Sequence, residues 1–204
     1  MPEPKLTICV PNRNKISFIS KCFDSILSQD SDLWTCVVVD GFSTDGSWEF
    51  LEPFSNDSRF RIMRGLGQGM YADWSYCLNF VKTEYFYFLP SDDVCDSSLV
   101  SQVVLELDKH RLADICHFAF DEIDARGKKI ETYQALLERH AEIYLGPHKF
   151  AHVRSGTFDY VMNLIFPVVF HTMNSLVFRR SLIGRLAGFD LQFKEAADID
   201  WQIR

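Results

Sequence analysis

The sequence predicts an α/β fold: a mostly parallel central sheet with helices on both faces. Three observations carry that prediction. From residue 5 to about 120, short apolar runs alternate with segments of helical periodicity, the pattern of repeated strand–helix–strand units with right-handed crossovers. Residues 35–39 (TCVVV) form a continuous apolar, β-branched run ending in Asp40, as expected of a strand covered on both faces. The aromatic run Tyr85-Phe86-Tyr87-Phe88-Leu89 passes through Pro90-Ser91 into Asp92-Asp93, so a buried strand ends in two adjacent carboxylates. In open α/β sheets that end of the strand is where ligands bind.

The elements follow in order. Residues 6–10 form a short apolar strand that stops at Pro11-Asn12-Arg13-Asn14, a turn composition. Ile19, Cys22, Phe23, Ile26 and Leu27 recur at helical spacing. After the strand ending in Asp40, residues 41–46 (GFSTDG) form a loop with ready N-cap residues, and Trp48 and Leu51 open another helix. Residues 60–63 are a third strand. Gly65-Leu66-Gly67-Gln68-Gly69 is a flexible loop, after which Tyr71, Trp74, Leu78 and Val81 mark one helical face. Beyond Asp92-Asp93, Leu99, Val100, Val103, Val104 and Leu107 define a helix, and residues 115–120 a strand. Periodicity fades from about 121 to 170, which reads as an irregular or helical insertion. Residues 175–179 resume as a strand, and a helix with Ile183 and Leu186 stops at Gly188. Residues 196–204 read as the opening of a helix without a stop signal, which predicts a further C-terminal segment.

Composition narrows the function. The formal net charge of −7 and the lack of a long basic run argue against nucleic-acid binding. Eighteen Phe and four Trp exceed what a core alone would ask for, so some are expected to line a groove. The six cysteines show no CxxC spacing, which favours buried thiols and a reducing, cytoplasmic setting. The apolar stretch 158–170 is too short to span a bilayer and contains Asp159, Asn163 and Pro167; peripheral membrane contact stays open. Three strand ends carry polar groups: residues 11–14, Asp40 and Asp92-Asp93. Convergence of these on one crevice would suit a nucleoside diphosphate, with one Asp accepting from the nucleoside and another holding Mg²⁺ or Mn²⁺. Such an ion takes only one or two carboxylates plus ligand phosphates.

Several blocks carry a resemblance. Thr7-Ile8-Cys9-Val10-Pro11-Asn12-Arg13-Asn14 and Val37-Val38-Val39-Asp40-Gly41-Phe42-Ser43-Thr44-Asp45-Gly46-Ser47 resemble the opening and the "VVDGGSTDGT" pattern of family 2 glycosyltransferases. Gly69-Met70-Tyr71-Ala72-Asp73-Trp74 is similar to the "GIYDAxNKG" segment, and Ser91-Asp92-Asp93 stands where that family has its DxD-type motif. The blocks at 178–182, 188–190 and 196–200 resemble "FRRSL…GGFD…AADYD". The blocks occur in family order over nearly the whole chain. The resemblance implies a GT-A fold as a single domain over 1–204, with a nucleotide-binding half (1–120) and an acceptor and catalytic-base half (121–204). It implies an inverting transfer from a UDP-, GDP- or dTDP-sugar to a glycan or lipid-linked hydroxyl acceptor, in surface-polysaccharide synthesis, with Mg²⁺ or Mn²⁺. Asp40 would contact the nucleoside, Asp92 the ribose and Asp93 the metal, while Asp198 would be the catalytic base. Pro11, Asn12, Asn14 and Asp73 would complete the donor site, with His171 and Arg179 as contacts for the diphosphate or acceptor. Pro90, Ala72-Asp73, Ser75-Tyr76-Cys77 and Gln68 depart from the family pattern.

Read from the residues alone, other assignments stay open. Asp92-Asp93 also suits a turn before a helix, and Asp198 has Glu195 and Asp200 as neighbours. Tyr71 and Trp74 fit a core as well as a stacking platform. An inactive nucleotide-sugar-binding module and a nucleotidyltransferase remain as rival functions.

Overall fold

The computed structural model describes residues 2–130, 153, 155–165 and 172–204. Contacts divide the chain into two units, residues 1–116 with 176–204, and residues 117–175.

The first unit holds the sheet. Strands β1 (Leu6–Asn12), β2 (Trp34–Asp40), β3 (Phe60–Arg64), β4 (Tyr85–Phe88), β5 (Ile115–His117) and β6 (Leu176–Arg179) lie in the order β3-β2-β1-β4-β6-β5. β1 pairs in parallel with β2 and β4, and β2 with β3, while β6 runs antiparallel to β4. The chain therefore winds outward from β1 to β3, then returns to place β4 on the other side of β1. That reversal makes the carboxyl ends of β1 and β4 a topological switch point. β1 is buried along its whole length, and β2 at every position but Thr35, as a two-face-covered strand should be.

Helices α1 (Ile16–Leu27), α2 (Ser47–Leu51), α3 (Met70–Leu78) and α4 (Leu99–Lys109) connect the strands. α1 buries Ile19, Cys22, Phe23 and Ile26, but Leu27 points outward at 42% exposure; it falls one residue past the buried stripe. All five apolar positions expected on α4 are buried. Many of the aromatics enter two clusters. Phe23 stacks on Phe60 and contacts Phe50 and Phe54, with Trp34 edge-on to Phe60. Trp74 stacks on Phe88, and Phe86 on Phe178. Burial pushes the Cys36 and Cys77 thiols well above the ordinary range, so both stay protonated thiols in the core.

In the second unit Gly127 turns the chain at φ 85° beside an isolated antiparallel bridge, Ile123 to Lys129. Helix α5 (Gly156–Ile165) follows. Most of the region expected to be irregular, residues 131–152 above all, lies outside the described residues, as does His171. After β6, α6 (Ser181–Leu186) leads through a 3₁₀ turn (Leu191–Ala196) into α7 (Ala197–Ile203). Among the described residues no helix is long and apolar enough to cross a membrane.

Candidate active site

Pairing register levels three strand ends: Asn12 lies opposite Asp40, and Asp40 opposite Arg64. The side chains there form one network. Asp40 is fully buried, and its carboxylate accepts from Asn12 Nδ2 at 2.7 Å, Ser43 Oγ at 2.6 Å, the Ser43 backbone N–H at 3.0 Å and Arg64 Nη1 at 2.5 Å. Four donors thus converge on one carboxylate, which is what permits a charge to sit at zero exposure. Arg64 lays its guanidinium over Trp48, 3.8 Å from the ring centroid. Asn12 passes the network onward by accepting at Oδ1 from Ser91 Oγ, 2.6 Å away. Pro11 is buried at the same edge and accepts the Ser91 N–H through its carbonyl at 3.3 Å. Asn14 adopts φ 53°, and its side-chain carbonyl accepts from Thr44 N–H at 2.8 Å, tying the β1 turn to the loop after Asp40.

Ser91 brings Asp92 and Asp93 to this edge. The Asp93 N–H bonds to Pro90 O at 3.0 Å, closing a turn directly after β4. Asp92 is exposed and Asp93 half-buried. Lys15 Nζ lies 2.5 Å from Asp92 Oδ2, with both groups well exposed. Asp73, on the first turn of α3, is buried against the backbones of Gly41 and Gly65, just beyond the ends of β2 and β3. Burial pushes its carboxyl above the usual range, opposed by the Leu66 N–H and the Arg13 guanidinium. A Cβ on Gly65 would fall 2.1 Å from Asp73 Oδ1. Gly65→Ala is therefore expected to lower stability by about 1–3 kcal/mol through overpacking; urea unfolding checks this, and an unchanged midpoint would show that Asp73 can swing away freely.

The C-terminal helix reaches the same edge through α3. Asp198, half-buried in the first turn of α7, accepts from the Tyr71 hydroxyl at 2.9 Å. Ser75 Oγ accepts from Phe189 N–H at 2.9 Å, and a Cβ on Gly188 would meet that same Oγ at 2.8 Å. Phe189 stacks on Trp201 and lies against Tyr71, Trp74 and Phe88. Asp200 faces Arg204 instead, 2.9 Å from its Nε.

The sequence model of "Glycosyl transferase family 2" matches residues 7–183. This chain belongs to glycosyl transferase family 2. Relatives of this family-2 chain include a "PGL/p-HBAD biosynthesis glycosyltransferase" of Mycobacterium tuberculosis, 24% identical over 207 residues that cover 100% of the chain and 70% of the relative. The "Chondroitin synthase" of Pasteurella multocida is 32% identical over 110 residues, 53% of this chain and 11% of that protein. Among solved structures, S. aureus TarS 1-349 superimposes with a TM-score of 0.70 at 17% identity, covering 97% of this chain and 54% of TarS 1-349. The mannosyltransferase PcManGT of Pyrobaculum calidifontis, solved with GDP-Man and Mn²⁺, gives a TM-score of 0.62 at 19% identity, covering 93% and 48% respectively. The chain thus spans about half the length of these solved structures. The fold is GT-A.

Within this family-2 fold, Pro11, Asn12, Asn14, Asp40, Asp73, Asp92 and Asp93 gather at one sheet edge, and Asp198 is bonded to α3, which starts there. Arg179 does not join them. Its strand runs antiparallel, so it pairs with Tyr85 at the opposite end of β4. There its guanidinium is taken up by Glu84, Ala113 O and Leu107 O. The resemblance implied Arg179 as a diphosphate or acceptor contact, and the antiparallel direction of β6 places it at the opposite edge instead. His171 lies outside the described residues. Lys15 and Arg64 were not anticipated; Ser43, Ser91 and Tyr71 stood in the resembling blocks, but their hydrogen bonds at the site were not foreseen. Of the first two, Arg64 had a sequence signal, since it directly follows the strand expected at residues 60–63. As for a metal, no three His, Cys, Asp or Glu side chains cluster suitably among the described residues. The hard carboxylate donors of Asp93 and Asp92 fit Mg²⁺ or Mn²⁺ held jointly with ligand phosphates and water rather than in an all-protein cage.

Proposed function

We propose that this protein is an inverting glycosyltransferase that moves a sugar from a nucleoside-diphosphate donor to a hydroxyl of a glycan or lipid-linked acceptor, in a cytoplasmic setting and within surface-polysaccharide or glycolipid synthesis. The observation that carries this reading is the Asp40–Asn12–Ser91 network, which ties a buried carboxylate suited to a nucleoside to the turn bearing Asp92 and Asp93. TarS solved with UDP and with UDP-GlcNAc, and PcManGT solved with GDP-Man and Mn²⁺, support a nucleotide-sugar donor and a divalent ion.

In this mechanism Asp40, Asn12 and Ser43 shape the nucleoside end of the site, and Asn14 fixes the loop between them. Asp92 faces the ribose, while Lys15 and Arg13 add positive charge at the mouth where the diphosphate would lie. Asp93, with Asp92 beside it, would hold Mg²⁺ or Mn²⁺. Bound there, the ion supplies Lewis-acid compensation for charge developing on the departing diphosphate. Asp198 removes the acceptor proton as the hydroxyl attacks the anomeric carbon from the face opposite the leaving nucleotide, which inverts that centre. A carboxylate in this role contributes about 10²–10⁴-fold.

The test is thermal unfolding of wild type and Asp93→Ala with UDP-GlcNAc, UDP-glucose, GDP-mannose and a dTDP-sugar, with Mn²⁺ or with chelator. A ligand that binds only the folded state stabilises it by about 2.7 kcal/mol at 100 times its Kd. At least one donor is expected to stabilise wild type only with Mn²⁺, and Asp93→Ala is expected to lose that shift. Equal shifts in metal and in chelator, for both proteins, would refute the metal role of Asp93.

A further inference from the structure

Resting on the reading of Asp198 as the base, we infer that Tyr71 is the residue that positions Asp198 for proton removal. The two lie 127 residues apart, and the Tyr71 hydroxyl donates to Asp198 Oδ1 at 2.9 Å. Each side of that bond is anchored. Tyr71 stands on the first turn of α3, whose Asp73 is wedged against Gly41 and Gly65 at the β2 and β3 ends. Its ring packs against Phe189 at 5.5 Å and against Trp74 at 5.9 Å, and Trp74 stacks on Phe88 at 4.8 Å. Phe88 is the last residue of β4, five before Asp93. A continuous aromatic column therefore runs from the strand that leads into the Asp92-Asp93 turn to the phenol that holds Asp198.

Among the described residues, the Tyr71 hydroxyl is the hydrogen-bond partner that the Asp198 carboxylate has. Helix α7 is short and is pinned by Trp201, whose indole N–H bonds to Ala187 O at 3.0 Å and whose ring stacks on Phe189. These contacts lie three residues further along and set where the helix sits. The Asp198 side chain still has its own rotamers, and the Tyr71 bond selects among them. A base must sit within hydrogen-bond reach of the proton it takes, and an ångström of misplacement can cost about 10²-fold.

Two measurements test the inference. In the first, wild type, Tyr71→Phe, Asp198→Ala and the double variant are unfolded in urea. Groups in direct contact give non-additive losses, so the double variant is expected to be no less stable than the additive sum requires and measurably more so; strict additivity would overturn the bond. In the second, the donor that gave a metal-dependent shift is used in a turnover assay. Tyr71→Phe is expected to lower kcat about tenfold with donor KM and donor-induced thermal shift unchanged, and to have no further effect in Asp198→Asn. Unchanged kcat in Tyr71→Phe, where Asp198→Asn is inactive, overturns the positioning role alone. Near-normal turnover in Asp198→Asn overturns the underlying reading of Asp198 instead.

Discussion

Asp198→Asn is expected to lower sugar transfer by about 10²–10⁴-fold while leaving donor affinity within roughly a factor of two. The amide is nearly isosteric and can still accept from the Tyr71 hydroxyl, so α7 should stay docked. What it cannot do is take a proton. In kinetic terms the loss falls on kcat rather than on donor KM, the mark of an interaction needed only in the transition state. The family match ends at residue 183, so Asp198 rests on its own geometry. Among its neighbours Asp200 is engaged by Arg204. If Asp198→Asn turns over near normally while Glu195→Gln does not, the base lies three residues earlier. Steady-state assays on the two variants with one donor decide between them.

The sheet was legible because its strands satisfy local and global demands at once. β2 reads as an unbroken apolar run and is buried on both faces, and β4 is aromatic throughout and buried at all four positions. Strand ends could be read for the same reason: polarity returns abruptly at Asp40 and at Asp92-Asp93, where the core stops. Direction was not legible. Residues 175–179 read as a strand of either sense, and the antiparallel pairing of β6 with β4 is what removed Arg179 from the site. Long-range polar pairs were equally silent. Asn12 to Ser91, Lys15 to Asp92 and Tyr71 to Asp198 join residues 77 to 127 positions apart, and no periodicity encodes them. Asp73 shows a third kind of gap. Its place near the site was expected, but its close fit to Gly41 and Gly65 depends on how α3 enters the sheet edge. The aromatic surplus resolved both ways: Trp74 is core, whereas Phe42 and Phe193 are about half exposed.

Asp40→Ala should produce the largest loss of stability of any single change at the strand ends, about 2–4 kcal/mol. Four donors converge on this carboxylate, and truncation strands the Ser43 N–H, the Ser43 hydroxyl and the Asn12 amide in a buried setting. Each stranded donor costs about 1–3 kcal/mol if water cannot reach it. Arg64 adds little to that sum, because its side chain is a third exposed and water can replace its partner. The sum is also capped because Asn12 Nδ2 keeps its second bond, to Ser43 Oγ at 3.2 Å. A second consequence is local. Phe42 holds φ 61°, a left-handed conformation that bulky residues adopt only when their surroundings impose it, and the Ser43 bonds to Asp40 are what impose it here. Without them the 41–46 loop relaxes, and the donor-induced thermal shift should vanish together with part of the stability. Asp40→Asn separates the two effects: it retains one acceptor oxygen for Ser43 and Arg64, but turns an amide toward the Asn12 amide. It should therefore lose the donor shift with a smaller drop in the urea midpoint than Asp40→Ala. A donor shift that survives in both variants would mean that the nucleoside binds elsewhere on the sheet edge, with Asp40 serving the fold alone.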